Sequence, residues 1–306
     1  MSIQPKIVAV AGGSGFIGRA IVRRLAQTAG IAVRVLTRDA DRARARIGAL
    51  EGVEYASADV TDAARIGAAL DGAETIVNAT QFDGYPVENP RRGMTFNRVD
   101  YGGTITLIAA AKRAAVANFI YISGASADDR SPNPGFRAKG RAERALRDCG
   151  LNFTILRPSL VYGPEDRVVN GLAKAIRYAP VMVVPGDGRQ KLQPVLVDDI
   201  AACVALAAGG RGANGVYEIG GPEVMSFDGL VRLLMEITGR RRPIVHVPEG
   251  LLRLAGMIAQ KLPRPVFSSD AVDFLIADSE CHIKPLIAEF GITLMPARIG
   301  LAYLAR

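Results

Sequence analysis

The sequence predicts an α/β protein built around a parallel sheet with helices on both faces. Short β-branched runs alternate with longer amphipathic stretches from Lys6 to about Arg157, which is typical of strand–helix–strand units. A glycine-rich segment joins the first run to the first amphipathic stretch. Past Pro158 the alternation loosens, and proline and glycine interrupt the chain. We therefore expect a core over residues 1–157 and a smaller, mixed portion over 158–306.

The predicted strands of the core are short runs rich in β-branched and aromatic residues. They cover residues 7–11, 32–37, 53–56, 75–79, 119–123 and 153–156. The predicted helices between them carry apolar residues at helical spacing. They cover residues 16–29, 61–70, 99–115 and 136–149. A helix in the connection between two strands is what keeps neighbouring strands parallel.

The C-terminal portion mixes helical patterns with short strands. The predicted helices cover residues 198–208, 227–238, 249–261 and 279–290, and the predicted strands cover 181–184 and 216–219. We expect this portion to return in part to the edge of the sheet and to form the substrate or partner side of a cleft.

Composition narrows the class of protein. The 306 residues are 49% hydrophobic and 22% charged, which is enough to bury a sizeable core. The net charge of +8 comes from scattered arginines and favours anionic partners, but no aromatic-rich motif accompanies it, so nucleic acid is set aside. The three cysteines lie far apart, which predicts neither a disulfide framework nor a zinc site and fits a reducing compartment.

The expected location is cytoplasmic, because the N-terminus lacks the pattern of a secretion signal and no run of about 18 apolar residues occurs. Segment 249–261 is apolar on much of its circumference, with Arg253 and Lys261 on the polar side. Two interpretations stay open for it. The helix rests peripherally on a membrane or partner, or it is buried against the rest of the C-terminal portion.

Segment 12–18 reads Gly-Gly-Ser-Gly-Phe-Ile-Gly and lies between the first predicted strand and the first predicted helix. In that position, glycines allow a tight turn and let backbone N–H groups approach a pyrophosphate at the positive end of the helix. The residues expected to contact the pyrophosphate are Gly12, Ser14, Gly15, Phe16, Ile17 and Gly18. This loop makes the fold prediction specific: a Rossmann-type, doubly wound parallel sheet with a smaller mixed C-terminal portion.

The second predicted strand ends at Thr37 and Arg38, about 20 residues past the loop, where this fold selects its nucleotide. A hydroxyl and a guanidinium suit a 2′-phosphate, so NADP(H) is preferred. NAD(H) stays possible if Asp39 holds the ribose hydroxyls instead. After the third strand, Asp59 and Val60 are expected to cover the adenine, although an aspartate there is equally typical of a helix N-terminus.

Further segments make the chain resemble the extended and atypical short-chain dehydrogenase/reductase superfamily, which is similar to the NAD-dependent epimerases and dehydratases. They are the glycine loop, Asp59, Ser123, Lys139 and segment 157–164, Arg-Pro-Ser-Leu-Val-Tyr-Gly-Pro. Segments 163–170 and 193–200 look most similar to the branch that contains the NADPH-binding accessory subunit of respiratory complex I. The resemblance implies further cofactor contacts at Ala79, Thr80, Ser123, Lys139 and Pro158.

Active members of this superfamily use a Tyr-x-x-x-Lys pair, in which the phenol transfers a proton and the lysine lowers its pKa. The resemblance places Phe136-Arg137-Ala138-Lys139 in this region, with Phe136 at the usual tyrosine position and Lys139 and Ser123 as the remaining catalytic candidates. A surface lysine and a strand-end cap are the plain structural alternatives for those two. Other polar candidates are Tyr85, Tyr101, Tyr121, Tyr162 and the possible helix cap Asn97.

The leading hypothesis is an NADP(H)-binding relative of the dehydrogenases that lacks the catalytic tyrosine. Its nucleotide would be structural or regulatory, and its partner a protein or membrane-associated respiratory assembly. The alternative is an active NADP(H)-dependent oxidoreductase or epimerase that acts on a small molecule with a non-standard proton donor. An interaction module without nucleotide would leave the glycine loop unexplained. No metal is expected, because His246 and His282 lack partners at ligand spacing.

Overall fold

The computed structural model describes residues 5–260 and 268–305. The N-terminal half alternates strands and helices. Its elements are β1 (Lys6–Ala11), α1 (Phe16–Ala26), β2 (Ile31–Thr37), α2 (Ala40–Ile47), β3 (Val53–Ser57), α3 (Ala63–Ala69), β4 (Ala73–Asn78), a 3-10 turn (Pro90–Arg92), a π-helix (Phe96–Gly102), α4 (Gly103–Arg113), β5 (Asn118–Ile122), α5 (Pro134–Arg147) and β6 (Asn152–Pro158).

The C-terminal half is more mixed. Its elements are β7 (Val161–Tyr162), α6 (Val168–Tyr178), β8 (Met182–Pro185), β9 (Lys191–Leu192), β10 (Val195–Leu196), α7 (Val197–Ala208), β11 (Gly215–Ile219), β12 (Met225–Ser226), α8 (Phe227–Thr238), β13 (Ile244–Val247), α9 (Glu249–Ala259), α10 (Ser269–Ile276), α11 (Lys284–Phe290), α12 (Ala297–Gly300) and a 3-10 turn (Ala302–Ala305).

Seven parallel strands form the central sheet in the order β3-β2-β1-β4-β5-β6-β11. The predicted Rossmann-type parallel sheet is confirmed. The direction of chain progression reverses between β1 and β4, and ligands of open α/β sheets bind at the carboxyl ends of the strands beside such a reversal. The seventh strand, β11, comes from the C-terminal half and pairs with β6 at the edge of the sheet.

Each face of the sheet has its own core, because alternate residues of a strand point to opposite faces. Val8 and Val10 of β1 pack with α1, α2 and α7, whereas Ala9 and Ala11 pack with α3, α4 and α5. A third apolar core lies between α6, α8 and the C-terminal turn and includes the fully buried Tyr162. The sheet is therefore covered on both sides, and its strand ends are held at a fixed spacing.

Four of the described helices were not predicted from the sequence, namely α2, α6, α10 and the short α12. The predicted helix 279–290 is also too long, since α11 begins at Lys284. The N–H groups of Cys281 and His282 donate instead to the side chains of Gln193 and Glu218, which are distant in the sequence. The predicted helix 249–261 is present as α9, and Lys261 lies outside the described residues.

Helix α9 is apolar on its outer side. It packs against the start of α10 through Gly256, where an added Cβ would lie 2.6 Å from the Ser269 nitrogen. Arg253 pairs with Asp273 of α10 at 2.6 Å. The apolar side chains that stay at least half exposed are Leu251, Leu254, Met257 and Ile258. The sequence left open that this helix is buried against the rest of the C-terminal portion. For these four residues that interpretation is wrong. In the described ranges, no helix has the length and apolar character needed to cross a bilayer.

Candidate nucleotide site

The glycine loop joins the end of β1 to the start of α1. Gly12 has a φ of +78°, a conformation that favours glycine, and a Cβ there would lie 2.5 Å from the carbonyl oxygen of Ala79. The Gly15 N–H donates to the Gly12 carbonyl at 2.9 Å and closes the turn. A Cβ at Gly18 would overlap the Gly12 carbonyl oxygen. The loop therefore lies directly between the end of β4 and the first turn of α1.

The first turn of α1 is open to an anion. Its N-cap is Gly15, which offers no side-chain hydrogen bond to the free N–H groups of the helix. Those N–H groups and the helix dipole favour a phosphate at this position. Arg19 lies beside them, donates to the Ser14 carbonyl at 3.0 Å and pairs with Glu165.

Residues around the loop fit a bound nucleotide. The Ala79 N–H donates to the carbonyl of Ala11 at 3.0 Å, and the Thr80 N–H donates to Asn78 at 3.1 Å. The buried hydroxyl of Thr80 has no hydrogen-bond partner among the described residues. A buried hydroxyl is seldom left unpaired, so this atom next to Gly12 is suited to a ligand.

The end of β2 gives Thr37, Arg38 and Asp39 different surroundings. Thr37 exchanges hydrogen bonds with the backbone of Asp39, and the Asp39 carboxylate accepts from the N–H of Arg42 at 3.0 Å as the N-cap of α2. The exposed guanidinium of Arg38 lies 3.6 Å from the carboxylate of Asp83, which is also exposed. Such a surface pair is weak, so the guanidinium is available to a ligand.

Asp59 and Val60 lie at the end of β3. One Asp59 carboxylate oxygen accepts from both the N–H and the hydroxyl of Thr61, each at 2.8 Å, as in the turn that precedes a helix. Val60 contacts Gly103, where a Cβ would lie 2.8 Å from a Val60 methyl group. Both residues have well-defined structural roles, and both remain partly exposed at the carboxyl edge of the sheet.

At the other end of the cleft, Ser123 follows β5. Its hydroxyl donates to the carboxylate of Glu143 at 2.5 Å, and Arg157 donates to the same carboxylate at 2.9 and 2.6 Å. Glu143 is fully buried, and its hydrogen bond raises the pKa of Arg157. The Ser123 hydroxyl is therefore held by Glu143. Pro158 accepts from the N–H of Ala125 at 2.9 Å.

Lys139 of α5 is buried, with 5% of its surface exposed. Its ammonium lies 5.8 Å from the ring centre of Tyr121. Desolvation lowers the pKa of Lys139, although the neighbouring Asp100 and Glu143 oppose that change. Lys139 is therefore a buried residue and not a surface lysine, which was the plain structural alternative for it.

The assignment of Phe136 to the tyrosine position is wrong by one residue. The Tyr-x-x-x-Lys spacing counted back four residues from Lys139 ends at Gly135, whereas Phe136 is only three residues before Lys139. Both Gly135 and Phe136 lie in the first turn of α5, which begins at Pro134. A Cβ at Gly135 would lie 2.6 Å from the Phe274 ring and 2.9 Å from the Phe96 ring. The ring of Phe136 packs edge-on against Phe274 at 4.7 Å. Aromatic rings thus occupy the space beside Gly135.

The other polar candidates from the sequence lie in different surroundings. Tyr121 is the tyrosine that contacts Lys139, whereas Tyr162 lies in the third apolar core. Tyr101 lies under the guanidinium of Arg141 at 3.9 Å, and Asn97 accepts from that guanidinium at 3.2 Å. Tyr85 belongs to the aromatic cluster around Phe96.

Sequence reasoning missed Asp100, Glu143 and Phe274. Glu143 follows Lys139 by four residues, so helical spacing could have identified it. Asp100 lies in the π-helix before α4, and burial raises its pKa to about 7. Phe274 comes from α10, and no local signal connects it with α5. In the described ranges no group of three or more His, Cys, Asp or Glu is placed to hold a metal ion.

Comparison with known proteins agrees with this geometry. A family model described as NAD(P)H-binding matches residues 12–175, more than half of the chain. This chain belongs to that family. A mitochondrial relative in Arabidopsis thaliana, NADH dehydrogenase (ubiquinone) 1 alpha subcomplex subunit 9, is 28% identical over 91% of this chain and 71% of its own length. The predicted resemblance to the complex I branch is confirmed.

This chain is also similar to a reductase in sequence and to an epimerase in structure. The ceramide reductase of Caulobacter vibrioides is 33% identical over 64% of this chain and 59% of its own length. The UDP-glucose 4-epimerase of Thermus thermophilus, solved with NAD, superimposes with a TM-score of 0.72 at 21% identity, over 98% of this chain and 97% of the epimerase. At that identity the likeness shows the fold alone.

Proposed function

We propose that this chain binds NADP(H) as a structural or regulatory nucleotide and associates with a membrane-bound respiratory assembly. The proposal rests on a difference between the two ends of the candidate site. A glycine loop typical of phosphate binding stands at one end. At the other end, Gly135 stands four residues before Lys139, where active members of the superfamily carry a tyrosine. The relatives that are subunits of a mitochondrial NADH dehydrogenase support the same proposal.

The preference for NADP(H) rests on Arg38 and Asp39. An acidic residue that accepts both ribose hydroxyls selects NAD(H), but the Asp39 carboxylate already caps α2. The guanidinium of Arg38 has only a long, exposed contact with Asp83 to exchange for a 2′-phosphate. A phosphate and a guanidinium form paired, charge-assisted hydrogen bonds.

The nucleotide would lie along the carboxyl ends of β1, β2, β4 and β5. The loop N–H groups would bind the pyrophosphate. The Thr80 hydroxyl would form a hydrogen bond with the nucleotide, and Lys139 would donate to the nicotinamide ribose. Bound NADPH supplies a hydride at its nicotinamide ring. Transfer to a carbonyl also requires a proton donor, and loss of a positioned donor lowers the rate about 10²- to 10⁴-fold.

Association with a membrane-bound assembly is supported by α9. Four apolar side chains on this helix are at least half exposed, and Arg253 beside them is held by Asp273. An exposed apolar face of this kind is typical of a surface that binds a protein or a membrane. Replacing Leu254 by Glu is expected to release the protein from sedimented membranes, whereas replacing the exposed Arg42 by Glu is not.

An active reductase is the second candidate function. The observation that favours it is the buried Lys139 with the Tyr121 ring beside it, together with the similarity to a ceramide reductase over part of the chain. Against it, burial raises the pKa of the Tyr121 hydroxyl well above its usual value, which makes it a poor proton donor at neutral pH.

A turnover experiment separates the two functions. Protein loaded with NADPH is mixed with carbonyl and quinone acceptors, and the absorbance of the reduced nicotinamide is followed. The proposal predicts that the nucleotide stays reduced while it is bound. Rapid oxidation in wild type that the Lys139→Met variant abolishes would establish the reductase instead.

A further inference from the structure

A buried carboxyl group, that of Asp100, lies close enough to Lys139 for their charges to interact. Asp100 belongs to the π-helix Phe96–Gly102, which packs against α5, and 2% of its surface is exposed. Neither of its carboxylate oxygens has a hydrogen-bond partner within the part of the chain that the structure describes. Its backbone carbonyl, in contrast, accepts from the Thr104 hydroxyl at 2.5 Å. The backbone at Asp100 is therefore held by Thr104, whereas the buried carboxylate has no hydrogen bond from another described residue.

Several elements contribute titratable groups around this carboxyl. They are Tyr85 and Glu88 from the loop before the π-helix, Tyr121 from β5, and Lys139 and Glu143 from α5. Burial keeps both tyrosines protonated, because it raises the pKa of each well above its usual value. Glu143 is paired with Arg157. Glu88 accepts from the N–H of Phe96 at 2.7 Å. Asp100 and Lys139 are left as the buried pair whose charge affects a ligand at this end of the cleft.

The two redox forms of the nucleotide differ in charge at one place. The nicotinamide ring carries a positive charge in NADP⁺ and none in NADPH, while the phosphates and the adenosine are the same. A fixed charge close to the ring therefore changes the affinity for one form relative to the other. Two unit charges about 10 Å apart at an effective dielectric constant of about 20 change such a ratio roughly tenfold.

We infer that Asp100 determines which redox form of the nucleotide this site prefers. This inference rests on the proposed binding of NADP(H), with its nicotinamide ribose at Lys139. When Asp100 is ionised, it offsets the Lys139 ammonium and favours the cationic ring of NADP⁺. When Asp100 is protonated, the pair carries a net positive charge and favours the neutral ring of NADPH. The nucleotide site thereby responds to both redox state and pH.

The pH range follows from the surroundings of the carboxyl. Burial raises the pKa of Asp100 to about 7, with Lys139 lowering it and Glu88 raising it further. As the pH rises through this value, Asp100 loses its proton and affinity for NADP⁺ increases. Affinity for NADPH is expected to change much less. The ratio of the NADP⁺ dissociation constant to that of NADPH therefore falls roughly tenfold.

The experiment measures both dissociation constants by calorimetry at about pH 6 and about pH 8, one unit either side of the Asp100 pKa. Their ratio cancels titration of the 2′-phosphate, which both forms share. In the Asp100→Asn variant the ratio is expected to stay at its low-pH value at either pH. The control is Glu74→Gln, which removes an exposed carboxylate that pairs with Lys6 at the start of β4 and leaves both the ratio and its pH dependence as in wild type.

A measurement on wild type alone avoids reliance on the folding of the variant. Near neutral pH, NADP⁺ binding is expected to release a fraction of a proton more than NADPH binding, as judged from the heats in buffers of different ionisation enthalpy. A wild-type ratio that does not change with pH, or equal proton release with both forms, overturns the inference while NADP(H) binding stands. Failure of both forms to bind at either pH overturns the proposed function as well.

Discussion

The proposed adenosine and nicotinamide ends of the candidate site differ in the groups that line them. At the adenosine end, Gly12 and Gly18 bring backbone against backbone, and the exposed Arg38 has one long contact. At the nicotinamide end, the rings of Phe274 and Phe96 fill the space beside Gly135, and Asp100 and Lys139 are buried. In the proposed function, binding of the dinucleotide depends on the first arrangement, and hydride chemistry would depend on the second.

Because the two ends differ in this way, the same fold can keep nucleotide binding without keeping catalysis. A phosphate loop needs little more than glycines, a strand end and a helix N-terminus, and all three are present here. In the proposed function, proton transfer depends on one phenol, and Gly135 at its position lacks that group. The four changes below test each end of the cleft, with the largest expected effect first.

The largest effect is expected from Arg157→Met at the nicotinamide end. This change leaves the fully buried carboxylate of Glu143 without its ionic partner, which costs about 3–5 kcal/mol of unfolding free energy. Urea denaturation measures the loss. The control is Lys6→Met, which breaks an exposed pair with Glu74 and is expected to cost less than about 1 kcal/mol. Equal effects of the two changes would contradict a buried network at this end.

At the adenosine end, Gly18→Ala is expected to weaken NADPH binding by about 100-fold, because the new Cβ overlaps the Gly12 carbonyl and displaces the loop that holds the pyrophosphate. Calorimetric titration measures the change. Gly67→Ala is the matched control, since Gly67 lies in α3 and no atom lies within 4 Å of the added Cβ. Unchanged binding by Gly18→Ala would place the pyrophosphate elsewhere.

Gly135→Ala tests whether aromatic rings fill the tyrosine position. Its Cβ would lie 2.6 Å from the Phe274 ring, so we expect a loss of about 1–3 kcal/mol in unfolding free energy. The loss should shrink in the Phe274→Ala background, with a coupling of about 1 kcal/mol in the double-mutant cycle. Additive effects would show that Phe274 does not limit this space.

Arg38→Ala is expected to have the smallest effect. It removes the guanidinium proposed to bind the 2′-phosphate, so NADPH affinity should fall about tenfold while NADH affinity is unchanged. Arg42→Ala, which removes another exposed arginine four residues away, should alter neither. An equal decrease for both nucleotides in the Arg38 variant would assign this residue to general electrostatic attraction.

The sequence was informative where structure is set by neighbouring residues. The segment from β1 through Gly12 to α1 is local, and so is the alternation that predicted the parallel sheet. The start of α5 was predicted two residues late, although Asn133 followed by Pro134 is a typical helix start. The tyrosine position was assigned to Phe136, although counting four residues back from Lys139 identifies Gly135. The contact of Phe274 with Gly135 joins residues that are distant in the chain, so no local pattern could reveal it.

The central claim is that this cleft binds NADP(H), and a calorimetric titration of nucleotide-free wild-type protein with NADPH and then NADH tests it most directly. The account predicts one NADPH per chain, bound at least about tenfold more tightly than NADH because of the contact between Arg38 and the 2′-phosphate. Heat changes indistinguishable from dilution for both nucleotides would contradict it.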